Sequence, residues 1–248
     1  MNGRVALVTG AGRGIGRATA LLLAGRGARV MATSRSESEL AALGLDHVVA
    51  DMGDPAGCAA AVAETERRLG PIEILVVNHG IGSAHERVIW EQDPAVWRET
   101  MRINLDGPFE LSRLVVGGMV ERGYGRVSYT SSTAGQVAEP AGSAYTASKH
   151  GLLGLMRSVA QDAGPFGVTS NAVLPGWVRT EMAERSAAEQ ARRRGVPVDQ
   201  VWAERSAGYL PGRVVTPEEV AETIAFLCSE ACSGVNGEAI AVALGSAW

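Results

Sequence analysis

Strand-length runs of apolar and β-branched residues recur at 5–9, 28–33, 47–50, 74–77, 126–130, 168–173 and 239–242, separated by longer stretches with helical apolar spacing. This alternation is the βαβ pattern of a parallel sheet. Most of the runs are apolar throughout rather than at every second position, as strands covered by helices on both faces require. The pattern predicts an α/β protein with one doubly wound parallel sheet. No repeat, low-complexity tract or Pro/Gly-rich linker divides the chain, so residues 1–248 are expected to form a single domain. One segment breaks the rhythm: residues 181–210 are polar, alanine-rich and inserted between a strand and the next helix, which predicts a helical lid over the strand ends.

Composition narrows the function classes. With 248 residues, 46% hydrophobic and 20% charged, the chain is expected to fold around a sizeable core rather than stay disordered. A formal net charge of -4 provides no broad positive field, which argues against nucleic acid as a partner and leaves small-molecule chemistry. No run reaches the roughly 18 apolar residues of a membrane span, so no membrane partner is expected. Cys58, Cys228 and Cys232 lack CxxC or Cys/His ligand spacing, and no basic segment followed by an apolar stretch opens the chain. A reduced, cytoplasmic protein without a metal is the expectation. Of the 23 basic residues only Lys149 is lysine and the other 22 are arginines. Coding bias explains the arginines; an adjustable ammonium pKa is a chemical reason to keep one lysine.

The first predicted strand runs into Thr9-Gly10-Ala11-Gly12-Arg13-Gly14-Ile15-Gly16, and residues 17–27 then read as an amphipathic helix. Glycines in such a turn let backbone amides close on a phosphate, and the helix N-terminus adds partial positive charge. Gly10, Gly12, Arg13, Gly14, Ile15 and Gly16 are therefore expected to cradle a dinucleotide. The end of strand two, Thr33-Ser34-Arg35-Ser36, has no acid to hold the adenosine ribose hydroxyls. Ser34 and Arg35, with Arg13 from the turn, suit a 2′-phosphate, so NADP(H) is the expected cofactor, with NAD(H) as the alternative.

Tyr145 and Lys149 lie four apart in a helical stretch, so they share one face. An ammonium close to a phenol lowers its pKa from about 10 towards a range useful for proton transfer. Such a tyrosine protonates an alkoxide or, in reverse, deprotonates an alcohol. Strand five ends in Tyr129-Thr130-Ser131-Ser132-Thr133-Ala134-Gly135, where either Ser131 or Ser132 could donate to a carbonyl oxygen or simply cap the turn.

These residues together resemble the classical short-chain dehydrogenase/reductase family, over essentially the whole chain. The turn has that family's TGxxxGxG spacing, Tyr145-Thr146-Ala147-Ser148-Lys149 fits its YxxxK element, and Ser132 stands 13 residues before Tyr145, its usual separation. The resemblance implies a Rossmann-like fold and a catalytic set of Asn104, Ser132, Tyr145 and Lys149. It also implies that Asp51 and Met52 lie beside adenine, that Asn78 and Gly80 line the cofactor cleft with Tyr145 and Lys149, and that Pro175, Gly176, Val178 and Thr180 form the nicotinamide-binding turn. Pro108 gives Asn104 physical support, because a proline leaves the carbonyl four residues back without its amide partner. In the family that carbonyl holds a water linked to the lysine, although the same pattern fits a helix that ends and restarts. Two departures stand out: His79 replaces an alanine after strand four, and Val242-Ala243-Leu244-Gly245-Ser246 replaces a usual Asp-Gly-Gly turn.

The substrate cleft is expected between residues 81–90, residues 134–140, Trp177 and the lid, with Ser132, Val137, Trp177, Met182, Trp202 and Tyr209 as pocket residues. Their apolar character favours a ketone with a hydrophobic body. The run Arg192-Arg193-Arg194 could meet carrier phosphates or be a solvated face. The reading is an NADP-dependent ketoreductase acting on a ketone/alcohol pair, with a 3-oxoacyl thioester or a cyclic ketone as substrate class. The alternatives are an NAD-dependent secondary-alcohol dehydrogenase of hydroxybutyrate-dehydrogenase type, and a non-redox lyase or nucleotide-sensing protein. The resemblance further implies a homo-oligomer, tetramer or dimer.

Overall fold

In the computed structural model, which describes residues 1, 3–83 and 87–246, seven parallel strands form one sheet. The chain runs β1 (Val5–Thr9), α1 (Gly14–Gly25), β2 (Arg29–Ser34), α2 (Glu37–Ala41), β3 (Asp46–Val49), α3 (Pro55–Leu69) and β4 (Ile74–Val77). It continues through α4 (Pro94–Met101), α5 (Gly107–Arg122), β5 (Gly125–Thr130), α6 (Ser143–Ala163) and β6 (Val168–Pro175). The last elements are α7 (Glu181–Arg194), α8 (Val198–Ala207), α9 (Pro217–Leu227) and β7 (Ala239–Val242). Every strand lies within about two residues of its expected place; the fully buried apolar run Ile74–Val77 has no polar face to shift its register, and Val168–Pro175 buries the polar Thr169, Ser170 and Asn171 along with its apolar residues.

Strand order is β3-β2-β1-β4-β5-β6-β7, so the direction of winding reverses between β1 and β4. A parallel sheet that reverses in this way opens a crevice beyond the carboxyl ends of those two strands. Leu23 of α1, Ile224 of α9, and Ala187 and Val201 of α7 and α8 pack in one hydrophobic cluster. Cys58 of α3, Leu111 of α5 and Met156 of α6 pack in a second. The predicted lid is the helix pair α7–α8. Thr180 caps α7 by accepting from the Ala183 amide at 3.3 Å, and Gly195 ends it at φ 66°. None of the described helices is long and apolar enough to cross a membrane.

At the C-terminus, the unusual turn places Leu244 at φ 47°, the left-handed region that costs a branched side chain energy. The Leu244 carbonyl accepts from the Leu210 amide at 3.4 Å, joining the tail to the end of the lid.

Candidate active site

The glycine turn between β1 and α1 is shaped for a close backbone approach. Gly14 has φ +53°, and a Cβ on Gly16 would stand 2.1 Å from the Gly10 carbonyl oxygen. Across the crevice, Asn78 donates from Nδ2 to that carbonyl at 3.3 Å, tying the exit of β4 to the turn. Bare backbone at the start of α1, directly at the switch point, fits the pyrophosphate of a dinucleotide. The lid reaches this turn, since a Cβ on Gly14 would meet Thr180 Cγ2 at 3.1 Å.

On the adenosine side, Ser34 is half-buried and accepts from the Ser36 amide at 3.2 Å, while Arg35 is exposed. Arg13 Nη1 lies 3.5 Å from Glu39 Oε1, an acid of α2 that the sequence reading did not single out. Asp51 accepts from the Gly53 amide at 2.9 Å and lies 3.7 Å from Arg102; Met52 is buried beside it.

The catalytic candidates converge from three elements. Ser131 donates to the Lys149 carbonyl at 3.2 Å, committing its hydroxyl to the α6 backbone. Ser132 instead accepts from the Ala134 amide at 3.1 Å, which leaves its own O–H proton to give. Of the two serines, Ser132 is the one whose hydroxyl proton is not committed to a backbone carbonyl in these bonds. Lys149 is buried, donates from Nζ to the Thr130 carbonyl at 3.0 Å, and lies 5.6 Å from the centroid of the Tyr145 ring. Burial pushes the ammonium down from 10.5 to about 8.

Asn104 lies in a π-helical turn, Arg102–Asp106, closed by the Gly107 amide bonding to the Arg102 carbonyl. The break expected before Pro108 is therefore a π-turn, a widening of the ladder rather than a stop and restart. The buried Asn104 side chain accepts from the Ile81 amide at 2.8 Å and donates to the Ile81 carbonyl at 2.9 Å and to Ser148 Oγ at 3.2 Å. Ser148 in turn donates to the Tyr145 carbonyl at 2.7 Å. Ser148, which the sequence reading passed over, thereby links Asn104 to the helix turn bearing Tyr145. Gly80 fits between these groups, because a Cβ there would stand 3.2 Å from Asn104 Oδ1 and 3.6 Å from Lys149 Nζ.

The His79 ring lies between Thr9 of β1 and the π-turn, where a Cβ on Gly107 would stand 3.0 Å from its Nε2. Its Nδ1 lies 2.8 Å from Thr9 Oγ1, and burial, helped by the Lys149 charge, pushes the imidazole down to about 3. It is a neutral brace beneath the crevice.

The substrate side agrees only in part with expectation. Trp177, Met182 and Val137 remain partly exposed, and a Cβ on Gly82 would meet Met182 Sδ at 3.5 Å, so the lid overhangs the loop after β4. Trp202 and Tyr209, expected to line the cleft, are instead buried in the packing between lid and sheet. Trp202 donates from Nε1 to Glu184 at 2.9 Å, and the Tyr209 hydroxyl accepts from the Trp177 amide. Each satisfies its polar atom within the fold and presents almost no surface to a ligand. The sequence could not tell a buried lid aromatic from an exposed one.

Arg205, also buried, donates to the Ala183 carbonyl, Ser186 and Gln190 at 3.1 Å each, and its Cζ lies 3.6 Å from the Trp177 ring centroid. A cleft of about 350 Å³ beside the site is lined by residues that include Val88, Trp90, Ala138 and Thr146; residues 84–86 of the expected wall lie outside the described residues. The arginine run is ion-paired: Arg192 and Arg193 with Glu189, and Arg194 with Glu204.

Comparison with known proteins bears on the family and the fold. The family described as Enoyl-(Acyl carrier protein) reductase matches residues 10–247. The chain is 35% identical over 247 residues to D-beta-hydroxybutyrate dehydrogenase of Cupriavidus necator, covering 96% of this chain and 95% of that one. It is 33% identical to 3-oxoacyl-(acyl-carrier-protein) reductase FabG of Escherichia coli, covering 97% and 96%. The crystal structure of an actinorhodin polyketide ketoreductase variant with NADPH superposes with a TM-score of 0.91 at 32% identity, covering 98% of each chain. The Rossmann-like sheet, the converging site and these whole-length matches place the chain in the short-chain dehydrogenase/reductase family, as an oxidoreductase of hydroxyl and keto groups.

Proposed function

We propose that the chain is an NADP-dependent ketoreductase, and the observation that carries this reading is the buried Lys149 ammonium beside Tyr145. Burying a cation without a counter-ion costs stability, and a chain that keeps one at such a position points to a functional use. The drop from 10.5 to about 8 corresponds to roughly 3 kcal/mol against the charged form. A charge held there favours phenolate over phenol and so makes Tyr145 a better acid/base at neutral pH.

Gly10, Gly12, Gly14 and Gly16 would hold the pyrophosphate, and Arg13, Ser34 and Arg35 the 2′-phosphate. The bound reduced nicotinamide supplies the hydride. Ser132 donates a hydrogen bond to the substrate carbonyl oxygen and fixes its direction. Tyr145 delivers its proton to that oxygen as negative charge develops on it. Lys149 stabilises the phenolate left behind, and the Asn104 turn holds the loop through Ile81 and the helix through Ser148. Reversed, the same groups take the proton from an alcohol.

The partly exposed Trp177 and Met182, with the cleft beside Trp90, support a ketone with an apolar body, either a 3-oxoacyl thioester or a cyclic ketone. The ion pairs of Arg192, Arg193 and Arg194 speak against a phosphate site on α7. The same reading makes the protein a cytoplasmic single-domain homo-oligomer, dimer or tetramer, which sedimentation and cell fractionation test.

The test of function is NADPH oxidation across β-ketoacyl thioesters, cyclic and aromatic ketones and small sugars, with NADH in parallel. Selective turnover of one thioester or cyclic ketone with NADPH supports the proposal. Faster turnover with NADH, chiefly in the alcohol-oxidising direction, supports the NAD-dependent dehydrogenase that Glu39 beside the turn would favour. Cofactor binding with no turnover of any member overturns the ketoreductase reading in favour of non-redox chemistry.

A further inference from the structure

The tip of β2 has no acid, yet a carboxylate occupies the place such an acid would serve. An ideal Cβ built on Gly12 would stand 2.5 Å from Glu39 Oε2 and 2.9 Å from Ser34 Oγ, and Gly12 itself is buried beneath these groups. Glu39 Oε1 lies 3.5 Å from Arg13 Nη1, so the cation assigned to the 2′-phosphate already has an anionic neighbour. Glu39 is placed by the first turn of α2, where its amide donates to the Ser36 hydroxyl at 3.4 Å.

We propose that Glu39 is a specificity-determining residue at the adenosine ribose, a carboxylate supplied from α2 that accepts from ribose hydroxyls and opposes a 2′-phosphate. This inference rests on the proposed assignment of the glycine turn to a dinucleotide. Carboxylate oxygens only accept hydrogen bonds. Free 2′- and 3′-hydroxyls can donate to Glu39 while Arg13 remains beside it. A 2′-phosphate has no proton to give at neutral pH, repels the carboxylate, and competes with it for the Arg13 fork. Glu39 must therefore move off Arg13 for NADPH but not for NADH, and wild-type discrimination is weaker than Arg13, Ser34 and Arg35 alone would set. Removing the Glu39 charge therefore helps NADPH and does nothing for NADH, or harms it.

Titrating purified wild type and Glu39→Gln with NADPH and with NADH, each followed by quenching of protein fluorescence at fixed ionic strength, reads the ratio of the two dissociation constants without turnover. The expected result is a shift of the ratio towards NADPH by about tenfold, with Glu39→Ala shifting it the same way. A ratio within about threefold of wild type, or a shift towards NADH, overturns the assignment. A wild-type preference for NADH bears on the NADP reading alone, because the displacement caused by Glu39→Gln is measured relative to wild type. Glu37→Gln serves as a control, since that acid pairs with His47 at 3.0 Å, away from the turn, and should leave the ratio unchanged.

Discussion

Lys149 in the floor of the site and Arg205 in the lid are both buried cations that form no salt bridge among the described residues, yet the protein accommodates them differently. Lys149 offers a compact ammonium to one backbone acceptor, the Thr130 carbonyl at 3.0 Å, and burial pulls it down to about 8. Arg205 spreads its charge over a planar guanidinium that meets three acceptors at 3.1 Å and stacks on Trp177. Burial lowers Arg205 as well, but from 12.5, so it stays charged. Burial thus brings the floor cation close to neutral pH, whereas the lid cation stays charged and packs against one face of Trp177.

Replacing the two cations separates these roles. Lys149→Met should lower turnover by about 10² to 10³-fold, measured as NADPH oxidation on whichever ketone the wild type reduces. Its effect on folding should have a definite sign with pH. Native Lys149 titrates at about 8 against 10.5 unfolded, so the cost of burying charge is complete below pH 8 and fades as pH rises towards 10.5. The melting temperature of Lys149→Met relative to wild type should therefore fall between pH 8 and 10.5; a flat difference would show that burial does not shift the Lys149 ammonium. Arg205→Leu should raise KM about tenfold, with kcat changed less than about threefold, because it frees Trp177 without touching the proton path. A kcat loss as large as that of Lys149→Met would show that the lid cation takes part in the chemistry.

At His79 the effect is expected on stability and not on turnover. The imidazole is held at about 3 against 6.5 unfolded, so its stabilising packing is offset as pH falls from 6.5 towards 3. Thermal melts of wild type and His79→Ala should converge over that range, and turnover should show no step at pH 6.5 that His79→Ala removes. The smallest belongs to Glu184→Gln, which disturbs an exposed pair with Arg179 at 2.9 Å while leaving an acceptor for Trp202. Less than about 1 kcal/mol of stability should be lost in urea unfolding.

The two cations also mark what the sequence made legible. Lys149 stood out as the one lysine, a helical turn beyond Tyr145, and local spacing is enough to bring those two side chains together. The strands were legible for a similar reason, since fully buried runs such as Ile74–Val77 admit only one environment. Arg205 was one arginine among many, and its burial follows from how α8 packs on α7 and Trp177. Trp202 and Tyr209 were misplaced on the same account: periodicity says that an aromatic is on a helix or near its end, not which of two apolar surroundings it faces. Glu39 and Ser148 act across loops and between helices, so their roles depend on tertiary distances that no run of residues encodes. The π-turn at Asn104 is intermediate, with Pro108 announcing a disturbed ladder but not its form.

The role of Tyr145 as proton donor in carbonyl reduction is tested by Tyr145→Phe, with NADPH binding and NADPH oxidation measured on the same preparation. Binding is expected within about threefold of wild type, with turnover reduced by at least about 10³-fold on the ketone that wild type reduces best. Retention of more than about a tenth of wild-type turnover, with binding unchanged, would contradict that role.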